Sequence, residues 1–259
     1  MPSVLHIVES LDRGAVETWL VRMLEHATRR GIQNDWTFYC QLSQQGALEA
    51  RARASGARVV HSPVGLDEKI AFARALRDEL RRREYDVLHC HHDLVSAVYL
   101  AASAGLSIAR RIVHVHNADE HIPTKSLLKA GLLREPMRRV CLSADRVVGI
   151  SNHTLETMLA GRPRRLGRDS VHYYGVNSDP FVRAKRDRVG FRTALGLARD
   201  ALILLFGGRI TPEKNPVFAV DVLAALAKLE PRVVAVFAGS GSLEVAVNAR
   251  AIKLGVSER

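Results

Sequence analysis

Short apolar runs recur along this chain, separated by longer stretches in which apolar residues return every third or fourth position. Val4 to Val8, Trp36 to Cys40, Val59 to His61, Val87 to Cys90, Ile112 to Val115 and Val147 to Ile150 are the runs of the first two thirds. Their length and their lack of polar alternation predict strands buried on both faces. After the first run, Val16, Trp19, Leu20, Met23, Leu24 and Ala27 recur with helical spacing, and Ile70, Ala73, Leu76 and Leu80 mark a second helix that ends in three arginines. Strands alternating with helices predict an α/β fold, a doubly wound Rossmann-like parallel sheet with right-handed crossovers. The polar segment from Arg183 to Asp200 interrupts this series, and the runs Leu202 to Phe206 and Val233 to Ala238 resume it. The expected division is therefore a first domain over 1–175 and the start of a second Rossmann-like domain over 176–259.

The chemistry concentrates where the second series begins, at L-I-L-L-F-G-G-R-I-T-P-E-K-N-P, Leu202 to Pro216. The apolar run reads as a buried parallel strand, and Gly207 and Gly208 let the backbone turn where a side chain would clash. Asn215 at the cap and Pro216 at the first position predict a helix start, with Val217, Val220, Ala224 and Leu229 on its apolar face. Arg209 and Lys214 thus stand beside a helix N-terminus with free N–H groups, an arrangement suited to a diphosphate. A surface loop with two ordinary charges is the other reading of the same residues.

G-G-R-I-T-P-E-K-N-P resembles the G-R-x-x-x-E-K-G/N segment of family 4 glycosyltransferases, retaining enzymes of the GT-B fold. The resemblance implies that Arg209 and Lys214 bind the diphosphate of a nucleotide-sugar donor and offset charge on the leaving group, with no metal and no other cofactor. The first loop, S-L-D-R-G-A-V-E-T, resembles the family's G-G-A/V-E segment, which implies donor-diphosphate contacts for Gly14 and Ala15. Ala15 departs from the pattern by adding a Cβ where the family has its second glycine. Gly239-Ser240-Gly241 resembles the loop beside the donor nucleotide, although a plain strand-to-helix turn accounts for it equally well. Val171 to Asp179 resembles the domain junction, with Tyr174 and Asn177 in place of the usual Asn and Asp.

Histidines raise a separate question. His89, His91 and His92 flank Cys90, and His114, His116 and His121 follow. Strand alternation sets His89 and His91 on one face, and His114 and His116 on another such face. Their spacing matches no common zinc signature, so no metal is expected from it. D-V-L-H-C-H-H and R-R-I-V-H-V-H-N resemble two strand ends of the same family. By that resemblance His116, at a carboxyl strand end where α/β sites lie, is the catalytic residue facing the transferred sugar.

The composition narrows the partners. The chain has 259 residues, 47% of them hydrophobic, enough for a real core, and its net charge is +11. Only seven of the 38 basic residues are lysine. So basic a chain favours polyanions, but it carries no nucleic-acid motif and few aromatics for base stacking, so no nucleic-acid partner is expected. Three scattered cysteines and the absence of any apolar stretch of membrane-spanning length point to the cytosol.

From Thr124 to Val140 the chain alternates Leu127, Leu128, Leu132 and Leu133 with Lys125, Lys129, Arg134, Arg138 and Arg139. Such an element either packs its leucines inward or lies on an anionic membrane surface, which would make the protein peripheral on the inner face of the membrane. The resemblance implies a glycan or lipid-linked acceptor and a role in surface polysaccharide assembly. It also implies a donor domain longer by roughly a hundred residues, carrying an E-x-x-x-x-x-x-x-E motif that does not occur after Asn177. A chain without that part is expected to lack activity by itself. Two other functions fit the residues: a non-catalytic remnant that binds nucleotides or phosphosugars, and another GT-B enzyme such as a sugar-nucleotide epimerase. A dinucleotide-dependent dehydrogenase is disfavoured, since no G-x-G-x-x-G follows the first strand.

Overall fold

In the computed structural model, which describes residues 2–33, 35–118, 122, 124, 126–183 and 187–259, the chain forms two compact units, Met1–Asn177 and Ser178–Arg259. His121 and Lys125 lie outside the described residues.

The first unit runs β1 (Ser3–Val8), α1 (Ala15–Arg29), β2 (Asp35–Cys40), α2 (Glu49–Ala54), β3 (Arg58–His61), α3 (Lys69–Arg82), β4 (Val87–Cys90), α4 (Ser96–Ala102), β5 (Arg110–Val115), α5 (Leu127–Cys141), β6 (Arg146–Gly149), α6 (Asn152–Leu159) and β7 (Asp169–Val171). Its seven strands form one parallel sheet in the order β3-β2-β1-β4-β5-β6-β7. Chain order reverses between β1 and β4, the switch point where doubly wound sheets place their sites at the carboxyl strand ends. The predicted strands all occur, within two residues of their expected limits.

Strand alternation divides the core. Leu5 and Ile7 of β1, Leu88 and Cys90 of β4 and Val113 and Val115 of β5 pack with Phe72, Leu76, Tyr99 and Leu155 on one side. Trp19, Leu20 and Leu24 of α1 cover the other side against Val8, Phe38 and Val59. Both faces are buried, and for that reason the strands read as apolar runs rather than as alternating ones.

The second unit runs α7 (Asp179–Arg183), α8 (Arg188–Ala194), β8 (Leu202–Gly207), α9 (Pro216–Leu229), β9 (Val233–Ala238) and α10 (Glu244–Lys253), with β8 and β9 paired in parallel. Two sequence expectations change here. β8 is not buried on both faces: Leu202 and Leu205 stand exposed, because α9 and α10 pack their apolar residues around Ile210, Val220, Leu223 and Val233. Leu229, expected on the inner face of α9, is the last residue of that helix and is 83% exposed.

Candidate functional site

In the second unit the loop after β8 is built by backbone geometry. Gly208 adopts φ +148°, outside the range of ordinary L-residues, and turns the chain sharply at the carboxyl end of the strand. Three bonds lock the loop to the turn after β9: Gly208 N–H donates to Ala238 O (3.0 Å), Ile210 N–H to Ser240 O (2.8 Å), and Leu243 N–H to Ile210 O (3.0 Å). The two loops touch through their glycines. A Cβ on Gly239 would lie 1.9 Å from the carbonyl oxygen of Gly208, and one on Gly241 would lie 2.4 Å from that of Ile210. Close packing of one loop on the other therefore requires glycine at 239 and 241.

A short 3-10 turn, Pro212–Lys214, carries the chain from this loop to α9. Pro216 takes the first position of the helix as expected. Asn215 precedes it but does not cap with its side chain; it takes the left-handed conformation, φ +50°, which asparagine tolerates better than most residues. Arg209 and Lys214 are exposed, and neither side chain makes a hydrogen bond or ion pair among the described residues. Glu213 stands between them in sequence. Its carboxyl is held below the usual range first by the neighbouring Thr211 and backbone groups, then by those two cations. The loop thus presents two exposed positive charges beside the N-terminus of a 14-residue helix.

In the first unit Gly14 is the N-cap position of α1 and Ala15 its first residue, both exposed just beyond β1. Neither needs an unusual backbone: Gly14 has φ −77°. Glu17 bends back over this helix start. A Cβ on Gly14 would lie 2.0 Å from Glu17 Oε2. Burial raises the pKa of that carboxyl, while a hydrogen bond from its own backbone N–H opposes the shift.

Beneath α1 lies an assembly of histidines. In the sheet register His6 of β1 pairs with His89 of β4, and His114 lies one strand further on in β5. His91 and His116 follow β4 and β5 immediately. Nitrogen faces nitrogen in a chain: His6 Nδ1 to His91 Nε2 (3.1 Å), then His91 Nδ1 to His116 Nε2 (3.0 Å). The chain ends at the Tyr174 hydroxyl, 2.5 Å from His116 Nδ1. His114 Nδ1 faces His89 Nε2 at 3.3 Å. The indole of Trp19 lies across the assembly, 5.3 Å from His114 and 5.1 Å from Tyr174 between ring centres. Burial, reinforced by neighbouring imidazoles, pushes His6 down to about 3 and His114 to about 4, and lowers His89, His91 and His116 as well. At neutral pH these rings are uncharged.

His116 is thus at the carboxyl strand end where the sequence placed it, yet it is only 7% exposed and both its nitrogens are engaged. Asp93 fixes this end of β5. Its carboxylate accepts from the backbone N–H groups of His116 (2.7 Å) and Asn117 (3.2 Å), with Asp93 itself at φ +45°. His6 and Asp93 carry no motif that marks them, and Tyr174 stands out in sequence only as a departure from the junction pattern. His6 sits inside an apolar run, and only the neighbouring strand's register reveals what it meets.

The basic leucine-rich stretch forms α5. Leu133, Met137 and Ala130 pack against the core, but Leu127, Leu128 and Leu132 are 91%, 76% and 69% exposed. Arg138, expected with the outward cations, is instead buried and paired with Glu135 at 2.8 Å. No described helix is long and apolar enough to cross a membrane.

Comparison with known proteins gives these features a family. Residues 16–180 match the family model Glycosyltransferase Family 4. A D-inositol 3-phosphate glycosyltransferase of Mycolicibacterium gilvum is 30% identical over 248 residues, which cover 89% of this chain and 54% of the relative. Among solved structures, Anabaena HepE in complex with UDP superposes with a TM-score of 0.71 at 17% identity, over 99% of this chain and 67% of HepE. Sucrose-phosphate synthase from Thermosynechococcus elongatus gives 0.72 at 13% identity, over 100% of this chain and 69% of its own. The chain therefore spans little more than half the length of the Mycolicibacterium enzyme, and its fold is that of GT-B glycosyltransferases. With a family model matched over well over half its length, the chain belongs to glycosyltransferase family 4.

Proposed function

We propose that this chain belongs to an enzyme that moves a sugar, with retention, from a nucleotide-diphosphate sugar to a glycan or lipid-linked acceptor. The observation that carries this reading is the pair Arg209 and Lys214, exposed and without hydrogen-bond or ion-pair partners among the described residues, beside the α9 N-terminus. Cations so placed offset the charge that develops on a departing diphosphate, so that no metal is needed there. Gly239 and Gly241 support the reading as the turn that holds the Arg209 loop in shape, on the side proposed for the nucleotide. Gly14 and Ala15 offer backbone N–H groups at the start of α1 to an anion of the same class. His116 acts on the sugar through Tyr174, whose hydroxyl it holds. The exposed leucines of α5, with Lys129 nearby, fit an acceptor presented at an anionic membrane surface.

Binding of UDP, GDP and ADP to the 259-residue chain, measured by titration calorimetry, tests this reading. A charge-assisted hydrogen bond contributes about 1.5–3 kcal/mol, so Arg209→Ala and Lys214→Ala should each weaken the preferred diphosphate roughly 10- to 100-fold. In an enzyme that turns over, each loss should cost roughly 2–4 kcal/mol in the transition state. Affinities within a few-fold of the parent for both variants would remove the basis of the proposal.

A further inference from the structure

We propose that His91, His114 and His116 form a binding site for one divalent transition-metal ion, Zn2+ or a first-row ion of similar preference. Each of the three offers a ring nitrogen, and these atoms lie within 4.8 Å of one another in the interior of the first unit. His91 Nδ1 and His116 Nε2 already face each other at 3.0 Å. Two imidazole nitrogens on one tetrahedral zinc, each about 2.0–2.1 Å from it, stand about 3.4 Å apart. A small opening of this pair admits the ion, and the proton they share moves to the far nitrogen of its ring, so that both imidazoles bind neutral.

Each of the three rings also meets a further side chain through one of its nitrogens. Tyr174 Oη lies 2.5 Å from His116 Nδ1, His6 Nδ1 lies 3.1 Å from His91 Nε2, and His89 Nε2 lies 3.3 Å from His114 Nδ1. Metal-binding histidines are oriented in this way, through a second partner on the nitrogen that does not bind. Two buried ring nitrogens of the assembly have no hydrogen-bond partner among the described residues: His114 Nε2, in a residue 2% exposed, and His6 Nε2, in one 3% exposed. A buried polar atom without a partner is uncommon and calls for a ligand, and His114 is one of the three histidines whose ring nitrogens converge. His6, His89 and His91 also come within 4.8 Å. That grouping would use as ligands the two rings that hold the others in place, and His89 is less buried. The spacing of the sequence hid the site because its ligands come from two strands, and their adjacency is a property of the sheet.

Three imidazoles leave one coordination position for water or another oxygen ligand, the pattern of sites that are not purely structural. The site lies wholly within the first unit and shares His116 with the proposed sugar site, but its test reads metal binding alone and does not depend on Arg209 or Lys214.

The test uses the full chain without a histidine tag, stripped with chelator, dialysed, and offered Co2+ or Zn2+ alone. Expected are one bound ion per chain by elemental analysis, a visible cobalt absorption band, and a higher melting temperature with metal. His114→Gln should lose the band and the stoichiometry. Tyr174→Phe, which removes only the partner behind His116, should keep the site but weaken it about 10- to 100-fold. His153→Gln, an exposed histidine on α6, should bind as the parent does. The assignment is overturned if the parent retains no metal after dialysis, as a site filled by water alone would behave, or if His114→Gln keeps the band. It is equally overturned if Tyr174→Phe binds with the parent's affinity, a measurement that decides the matter even where His114→Gln does not fold.

Discussion

The hydroxyl of Tyr174 lies 2.5 Å from Nδ1 of His116, which ties the last segment of the first unit to the carboxyl end of β5. Tyr174 also packs against Trp19, with 5.1 Å between ring centres. Burial raises the pKa of the tyrosine and lowers that of the imidazole, so the contact is a neutral hydrogen bond at physiological pH.

Removing that hydroxyl leaves a buried ring nitrogen without its partner, which costs about 1–3 kcal/mol. Tyr174→Phe should therefore lower the urea midpoint of the metal-free first unit at an unchanged m-value. Tyr174→His, which restores a polar atom, should recover part of the loss. An unchanged midpoint in Tyr174→Phe would show that His116 finds another partner.

The histidines make an acid-sensitivity prediction whose sign is fixed by the direction of their shifts. His6 is lowered to about 3, and His92 and His114 to about 4, from an ordinary value of 6.5, all chiefly by burial. As pH falls below 6.5 the unfolded chain takes up protons that the folded chain refuses. Stability is then fully present above pH 6.5 and declines as pH drops toward the folded values, by about 1.4 kcal/mol per pH unit for each such histidine. Glu17 and Asp93, acids near the assembly with pKa values raised by burial, oppose part of this loss, since each takes up its proton at a higher pH when folded. Three histidines acting together outweigh them within two pH units, against a total stability of about 5–15 kcal/mol. In chelator, the melting temperature should fall steeply between pH 6.5 and 5. A flat profile over that range would mean that the rings are hydrated or already paired with charge.

The fold was legible where the physics is local. β1, β2, β4 and β5 announce themselves as apolar runs because both faces of a parallel sheet are covered, and α1 shows helical spacing because one side carries Trp19, Leu20 and Leu24 to the core. β7 was not predicted: it is a three-residue strand, Asp169–Val171, on the sheet edge, too short and polar for any pattern. α2 was missed for a similar reason, since E-A-R-A-R-A sets only Glu49 and Ala52 inside. In the site, glycine and charge at 207–216 were readable because a turn and a helix start have chemical signatures. The histidine assembly was not, because the meeting of His6, His91 and His116 depends on which strands become neighbours. Alternation gives a face; only the sheet order supplies the partners.

Gly241 tests the contact between the two loops of the second unit. A methyl group there would meet Ile210 O at 2.4 Å and its carbonyl carbon at 2.7 Å, both backbone atoms that cannot swing aside. Gly241→Ala should destabilise the second unit by about 1–3 kcal/mol, the usual range for overpacking. Hydrogen exchange should quicken through β8 and β9 while the first unit keeps its protection, since each unit has its own core. Uniform loss of protection in both units would show that they unfold together.

The exposed face of α5 yields a prediction in which two magnitudes compete. Leu127, Leu128 and Leu132 project at 91%, 76% and 69% exposure, and removing a leucine side chain from water is worth about 1.5–3 kcal/mol. A lysine near an anionic surface contributes only about 1 kcal/mol, and screening reduces that as salt rises. Of the cations expected to face a bilayer, Arg138 is buried against Glu135 and Arg139 pairs with the same carboxylate at 3.1 Å, while Lys129 and Arg134 are exposed. If this helix lies on a membrane, the leucines must supply most of the binding and the charges most of the preference for anionic lipid. Sedimentation with phosphatidylcholine vesicles, with and without phosphatidylserine, separates the two. Leu127→Ser with Leu128→Ser and Leu132→Ser should abolish binding at any salt concentration, whereas Lys129→Gln should weaken it less than tenfold and only on anionic vesicles. If the triple variant binds like the parent, or the parent binds neither vesicle, the leucines face something other than lipid and the peripheral-membrane reading fails.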